Sequence, residues 1–179
     1  LKPGSGDSIV NPRMDMVLGA YWMTKVIEGE LGEGKYFASP NEAITAYDFG
    51  IVSFRAKIWV MPSDKEKYSK FEGKRFETTV GRLLFNSVFP NDFPYINDEV
   101  GIKRMSAIID EVILTYGLDT APSIIDKIKS FGYKYATVSG TTWSLDAVKI
   151  PKEKDDLIQE GWDQAAKVES DYEEGLLSA

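Results

Sequence analysis

The chain has 179 residues, 43% hydrophobic and 12% aromatic, with a net charge of −7 and neither Cys nor His. That is apolar material for one ordinary core, or for two small lobes sharing one, and it excludes disulfides, thiolate and imidazole metal sites, and Ser-His-Asp or Cys-His catalysis. Bases interleaved among the acids argue against a stand-alone nucleic-acid binder, and no run approaches the roughly 20 apolar residues of a membrane-spanning helix.

The opening Leu1-Lys2-Pro3-Gly4 lacks the charged and apolar regions of a signal peptide, so a cytoplasmic protein is expected. The chain begins without Met and breaks off just past a helix-ending Gly175, so both ends read as cut from something longer.

Pro12 stands near a helix start, and Val17, Leu18, Tyr21 and Trp22 share one helical face, which predicts a helix from about Pro12 to about Val26. Three glycines and three acids between Glu28 and Lys35 read as a loop. Ser39-Pro40-Asn41-Glu42 places a cap, a first-turn Pro and a third-position acid, opening a short helix to about Tyr47. From Val52 to Val60 the period-two alternation predicts a half-buried strand. The polar stretch 62–74 reads as an exposed connection leading to a second strand near Arg75 to Val80, antiparallel to the first.

Ile102, Met105, Ile109, Val112 and Tyr116 follow helical spacing; after Gly117, Thr120 and Pro122 restart a helix with Ile124, Ile125, Ile128 and Phe131 inward, so an antiparallel helical pair is expected. After Pro151 the longest helical pattern carries a thin apolar stripe of Ile158, Trp162, Ala165 and Tyr172 on a strongly charged surface. Such a stripe suits half of a two-stranded hairpin whose partner helix is missing. The expected fold class is α+β, mainly helical, with a small antiparallel β element and a long C-terminal helix.

Several strings stand in a familiar order: Asp15-Met16-Val17-Leu18-Gly19-Ala20-Tyr21-Trp22-Met23-Thr24, Ser39-Pro40-Asn41-Glu42-Ala43, Thr78-Thr79-Val80-Gly81-Arg82, Gly132-Tyr133-Lys134-Tyr135-Ala136, and Asp146-Ala147-Val148-Lys149-Ile150-Pro151. Together they resemble the β′ subunit of bacterial DNA-directed RNA polymerase over nearly the whole chain, just downstream of the loop that holds the catalytic magnesium in that family. The resemblance implies a pore-like region over 1–100 and a funnel-like helical region over 101–179 ending in the first rim helix. It implies the walls of a secondary channel, where nucleotides enter, the RNA 3′ end is extruded on backtracking, and Gre-type factors dock. The implied partners are the β, α and ω subunits, with no membrane. Magnesium belongs to the parent enzyme and no cofactor to this piece, which alone should be catalytically inert.

On that mapping Thr78, Thr79, Arg82 and Asn86 are candidates for the nucleotide or RNA path, Arg82 and Asn86 offering donors to phosphate; alternatively Arg82 pairs with a structural carboxylate and Gly81 merely ends the strand. Met14 is a further candidate, although it stands where the family generally has Gln and can neither donate nor accept strongly. Asp155, Asp156 and Glu160 are candidates for docking a factor's basic surface, against the alternative of a simply solvated helix face. Asp126 matches an acid near an alarmone site of some relatives, but Asp119 and Ser130 replace its basic and aromatic companions, so that regulation is not expected. Adjacent carboxylates such as Asp110 and Glu111 point to different helix faces and make no acid/base pair. Two other readings stay open: a stand-alone acidic helical adaptor without polymerase function, and, with no motif behind it, a carboxylate-based hydrolase.

Overall fold

The computed structural model describes residues 2–4, 6, 8–142 and 144–176. It is an α+β structure in two compact units that divide between Thr141 and Thr142, whereas the sequence reading divides the chain at 100/101. The first unit runs α1 (Asp15–Thr24), β1 (Tyr36–Phe37), α2 (Pro40–Asp48), β2 (Ile58–Val60), a 3-10 segment (Glu66–Phe71), β3 (Phe76–Thr78), α3 (Val80–Asn86) and α4 (Ile102–Ser139). The second holds a 3-10 turn (Leu145–Ala147) and α5 (Lys154–Glu173).

Helix α1 starts three residues later than Pro12 because Met14 stands at φ 51°, ψ −123°, outside helical space and rare for a residue with a side chain. The Met14 carbonyl takes the N–H groups of Val17 and Leu18 at 3.0 and 2.9 Å and so opens the helix. In α2 the expected cap forms: Ser39 Oγ accepts from the Glu42 N–H at 3.1 Å, and the Glu42 carboxylate accepts from the Ala38 N–H at 2.6 Å.

The sheet corrects the expectation of a purely antiparallel element. β2 and β3 are antiparallel, with Trp59 opposite Glu77, but β1 joins the other edge of β2 in parallel, with Tyr36 opposite Trp59. At two residues, β1 is too short to leave a period in the sequence.

The strand expected from Val52 is also shortened, to Ile58–Val60. Val52 and Ala56 are buried as the alternation requires, yet the backbone between them bonds irregularly. Ser53 N–H goes to Leu31, Ala56 N–H to Ser53, and the Phe54 carbonyl receives the Gly81 N–H. Alternating burial therefore arises here without a neighbouring strand, which periodicity cannot distinguish.

The connection 62–74 is not wholly exposed. Lys67 and Tyr68 are buried within it, and Tyr68 joins Phe71, Phe76 and Tyr95 in an aromatic cluster whose Phe71 and Phe76 rings stack at 3.9 Å. Interleaved charge hid these anchors.

Helix α4 is broken at Gly117, φ 71° and ψ 177°, into the two arms the sequence indicated. Pro122, which would forfeit a bond in mid-helix, falls in the opening turns of the second arm. Met105, Ile108, Ile109 and Val112 from the first arm and Ala121, Ile124 and Ile128 from the second enter one core cluster with Val17, Ala20, Phe85, Phe89 and Phe93. A second cluster gathers Val52, Ile58, Val60, Phe76, Leu83 and Tyr95 around the sheet. The first cluster joins residues on both sides of position 100, so apolar burial crosses the sequence-based boundary.

No residue of α5 is buried. Its stripe lies open, with Ile158 48%, Trp162 69% and Tyr172 57% exposed. Among the described residues no helix is long and apolar enough to cross a membrane.

Candidate functional site

Helix α3 organises four of the candidates. Thr79 caps it, its Oγ1 accepting from the Arg82 N–H at 3.2 Å. Gly81 sits where a Cβ would lie 2.0 Å from the Met23 carbonyl oxygen, so its lack of a side chain permits α3 to touch the end of α1. Ending the strand is not what this glycine does.

That approach brings Arg82 to the last residue of α1. Arg82 Nε donates to the Thr24 carbonyl at 2.9 Å and one terminal nitrogen to Asn97 Oδ1 at 3.3 Å. Thr24 is itself fixed: its Oγ1 donates to the Ala20 carbonyl at 2.8 Å and accepts from the Val100 N–H at 2.9 Å. Asn97 Oδ1 also accepts from Thr78 Oγ1 at 2.9 Å, and Asn97 Nδ2 donates to the Glu77 carbonyl at 2.7 Å.

No carboxylate forms an ion pair with Arg82 among the described residues. Burial holds its guanidinium below its usual pKa, and the charges of Tyr95, Asp98, Glu99 and Glu77 act the other way; the group stays protonated at any ordinary pH. Its partners are neutral oxygens, which orient the fork without neutralising it.

Thr78, Thr79 and Asn86 are buried, at 1%, 0% and 2% exposure. Thr78 Oγ1 shares a 2.8 Å hydrogen bond with the Tyr95 hydroxyl, whose pKa burial pushes well up. Asn86 exchanges two bonds with Ile96, Nδ2 to its carbonyl at 2.7 Å and Oδ1 from its N–H at 2.8 Å, and Nδ2 also reaches the Arg82 carbonyl at 2.8 Å. Thr79 and Asn86 hold backbone groups, whereas Thr78 bonds only the side chains of Tyr95 and Asn97; Arg82 alone of the four is only half-buried.

Met14 is 85% exposed and stands at the other end of α1. Ten residues separate it from Thr24, about 15 Å along the helix axis, so it does not share the Arg82 cluster. Asp155, Asp156 and Glu160 lie on α5 in the second unit, fully on the surface. The first two occupy its opening turn, where acids are favoured, and Glu160 accepts from Gln164 at 3.3 Å.

Thr24, Tyr95 and Asn97 complete the Arg82 cluster and were not visible beforehand. Asn97 follows a Pro-containing loop, where a polar residue reads as solvated, and Thr24 reads as an ordinary helix end. Among the described residues, no group of three or more His, Cys, Asp or Glu is placed to hold a metal.

A family model described as RNA polymerase Rpb1, domain 3, matches residues 1–148. The chain is similar to the DNA-directed RNA polymerase β′ subunits of Thermoanaerobacter sp. (strain X514), at 40% identity over 191 residues, of Thermobifida fusca, at 37% over 191, and of Bacteroides thetaiotaomicron, at 36% over 178. Each alignment covers 99% of this chain but only 16%, 15% and 12% of the respective relative.

Proposed function

The chain belongs to the RNA polymerase Rpb1 domain 3 family, whose relatives here are β′ subunits, and on that premise we propose that it forms part of the secondary-channel wall of a transcribing polymerase. In this reading the parent enzyme transfers nucleotidyl groups, and this segment guides substrate or the RNA 3′ end without taking part in the chemistry. The observation that carries it is Arg82: a permanent cation oriented by two neutral oxygens, with no carboxylate ion pair among the described residues, leaves its other N–H groups for a phosphate. Thr79 and Asn86 position the backbone around it, and Thr78 holds the Asn97 side chain that Arg82 meets.

In this reading magnesium belongs to the parent enzyme and this segment takes no part in holding it. When bound in the parent, magnesium would activate the 3′ hydroxyl and stabilise the phosphates. The chain alone, given magnesium, nucleotides and a primed template, should incorporate nothing. The β, α and ω subunits are the proposed partners, Gre-type factors the proposed visitors to Asp155, Asp156 and Glu160, and the cytoplasm the proposed compartment.

The test places Arg82→Ala and Arg82→Lys in the complete β′ subunit and reconstitutes the polymerase. A rise in the nucleotide KM of about tenfold for Ala, the size expected for a lost charged hydrogen bond, partly restored by Lys, supports the reading. Unchanged incorporation and unchanged transcript cleavage in backtracked complexes would sink it.

A further inference from the structure

A pocket of about 130 Å³ lies between the start of α2, the segment 63–68 and the end of α3. Lys65, Lys67, Ser39, Ser63 and Asn41 line it, and none of its lining residues is acidic. That is notable in a chain with 28 acidic and 21 basic residues.

Lys67 is the unusual member. It is 6% exposed, and its ammonium donates to the carbonyls of Asn86 at 2.8 Å and Phe89 at 3.3 Å. An ammonium has three donors, so one remains. Neither Lys67 nor Lys65 forms an ion pair with a carboxylate among the described residues. A buried cation without a counter-charge is costly. The electrostatics agree: burial lowers the Lys67 pKa, the like charge of Lys65 lowers it further, and Asp92 only opposes this.

Hydroxyl donors are also at hand. Ser39 Oγ accepts from the Glu42 N–H, which leaves its own O–H to donate, and Ser63, half-buried, also lines the pocket. The volume is well below the roughly 300 Å³ at which pockets hold whole drug-sized molecules, so a single tetrahedral group fits and a nucleobase would stay outside.

We propose that this pocket binds one phosphoryl group, with Lys67 and Lys65 supplying the charge and Ser39 and Ser63 the neutral donors. The proposal does not rest on the polymerase reading: its charge comes from Lys65 and Lys67 and Arg82 is not among the lining residues, although Asn86 borders both. The phosphoryl group has two sources, free phosphate or a nucleotide tail.

The experiment titrates the full chain by calorimetry with inorganic phosphate, and in a second arm with adenosine monophosphate without metal, ionic strength being held constant with chloride. Saturable binding of one equivalent is expected, at least about tenfold weaker in Lys65→Met, as for loss of one charge-assisted contact. Lys65 and Ser63 lie outside the core, so Lys65→Met and Ser63→Ala decide the matter even if Lys67→Met fails to fold. Phosphate binding alone identifies the free ion as ligand; binding of the monophosphate as well identifies a nucleotide tail. No heat beyond the chloride control, or binding indifferent to both Lys65→Met and Ser63→Ala, overturns the site.

Discussion

Gly19 of α1 and Gly132 of α4 meet backbone to backbone: a Cβ on Gly19 would lie 1.9 Å from the Gly132 carbonyl oxygen, and a Cβ on Gly132 would lie 2.3 Å from the Met16 carbonyl oxygen. The two helices cross where neither has a side chain, and Val17 and Ala20 reach the core from that crossing. Because the obstructing atoms are main-chain, no rotamer change relieves a substitution.

Gly19→Ala and Gly132→Ala should therefore each destabilise the chain by about 2–4 kcal/mol, at or beyond the upper end of ordinary overpacking. The double variant should lose less than the sum, since one displacement of α1 from α4 relieves both clashes. Urea unfolding of the three variants measures this; additive losses would show that the two glycines do not share one contact.

Asn86→Ala leaves the N–H and carbonyl of buried Ile96 without their partners. The expected loss is about 2–4 kcal/mol from two unsatisfied buried backbone groups. Asn86→Asp keeps the acceptor for Ile96 N–H but places a charge in a 2% exposed site, so it should be no better than Ala at neutral pH. Denaturant melts check both.

Burial pushes the Tyr68 hydroxyl up to about 12 from 10.0. An unfolded chain releases that proton above about pH 10 while the folded one holds it, so this contribution to stability is complete below pH 10 and is lost between pH 10 and 12. Tyr68→Phe should flatten the fall of stability over that interval relative to the parent chain. Thermal melts from pH 9 to pH 12 would show identical slopes if the hydroxyl is not the titrating group.

On α5, Trp162→Ala should change the unfolding free energy by no more than about 0.5 kcal/mol, as expected for an exposed position. Ile128→Ala, at 0% exposure in the first core cluster, should cost about 2–5 kcal/mol. A large effect of Trp162→Ala on melts of this chain would mean that the helix buries its stripe in solution.

The sequence was most legible where a local rule has a local cause. The Ser39 cap, the break at Gly117 and the 3,4-spaced face of Met105, Ile109 and Val112 depend on neighbours a few residues away, and each appears in the structure. The β1 partner of β2 and the burial of Lys67 depend on segments about 20 residues distant, and charges beside Lys67 and Tyr68 mask their inward side chains. The candidate site was half legible: Thr79 and Arg82 adjoin in sequence, but Asn97 and Thr24, which aim the guanidinium, come from other elements. Nothing in residue 97 itself announces a link to residue 82.

Lys67 also bears on how α3 comes into being. Its ammonium sits on the carbonyl of Asn86, the last residue of the helix, where a cation complements the helix dipole. Seven residues are too few to persist alone, since isolated helices below about 12 residues are marginal in water. The far end of α3 is thus closed by a residue 19 positions earlier in the chain. The helix and the segment 66–71 should consequently open and close as one cooperative unit in hydrogen exchange, so that the orientation of Arg82 is held or lost together with the docking of a distant lysine.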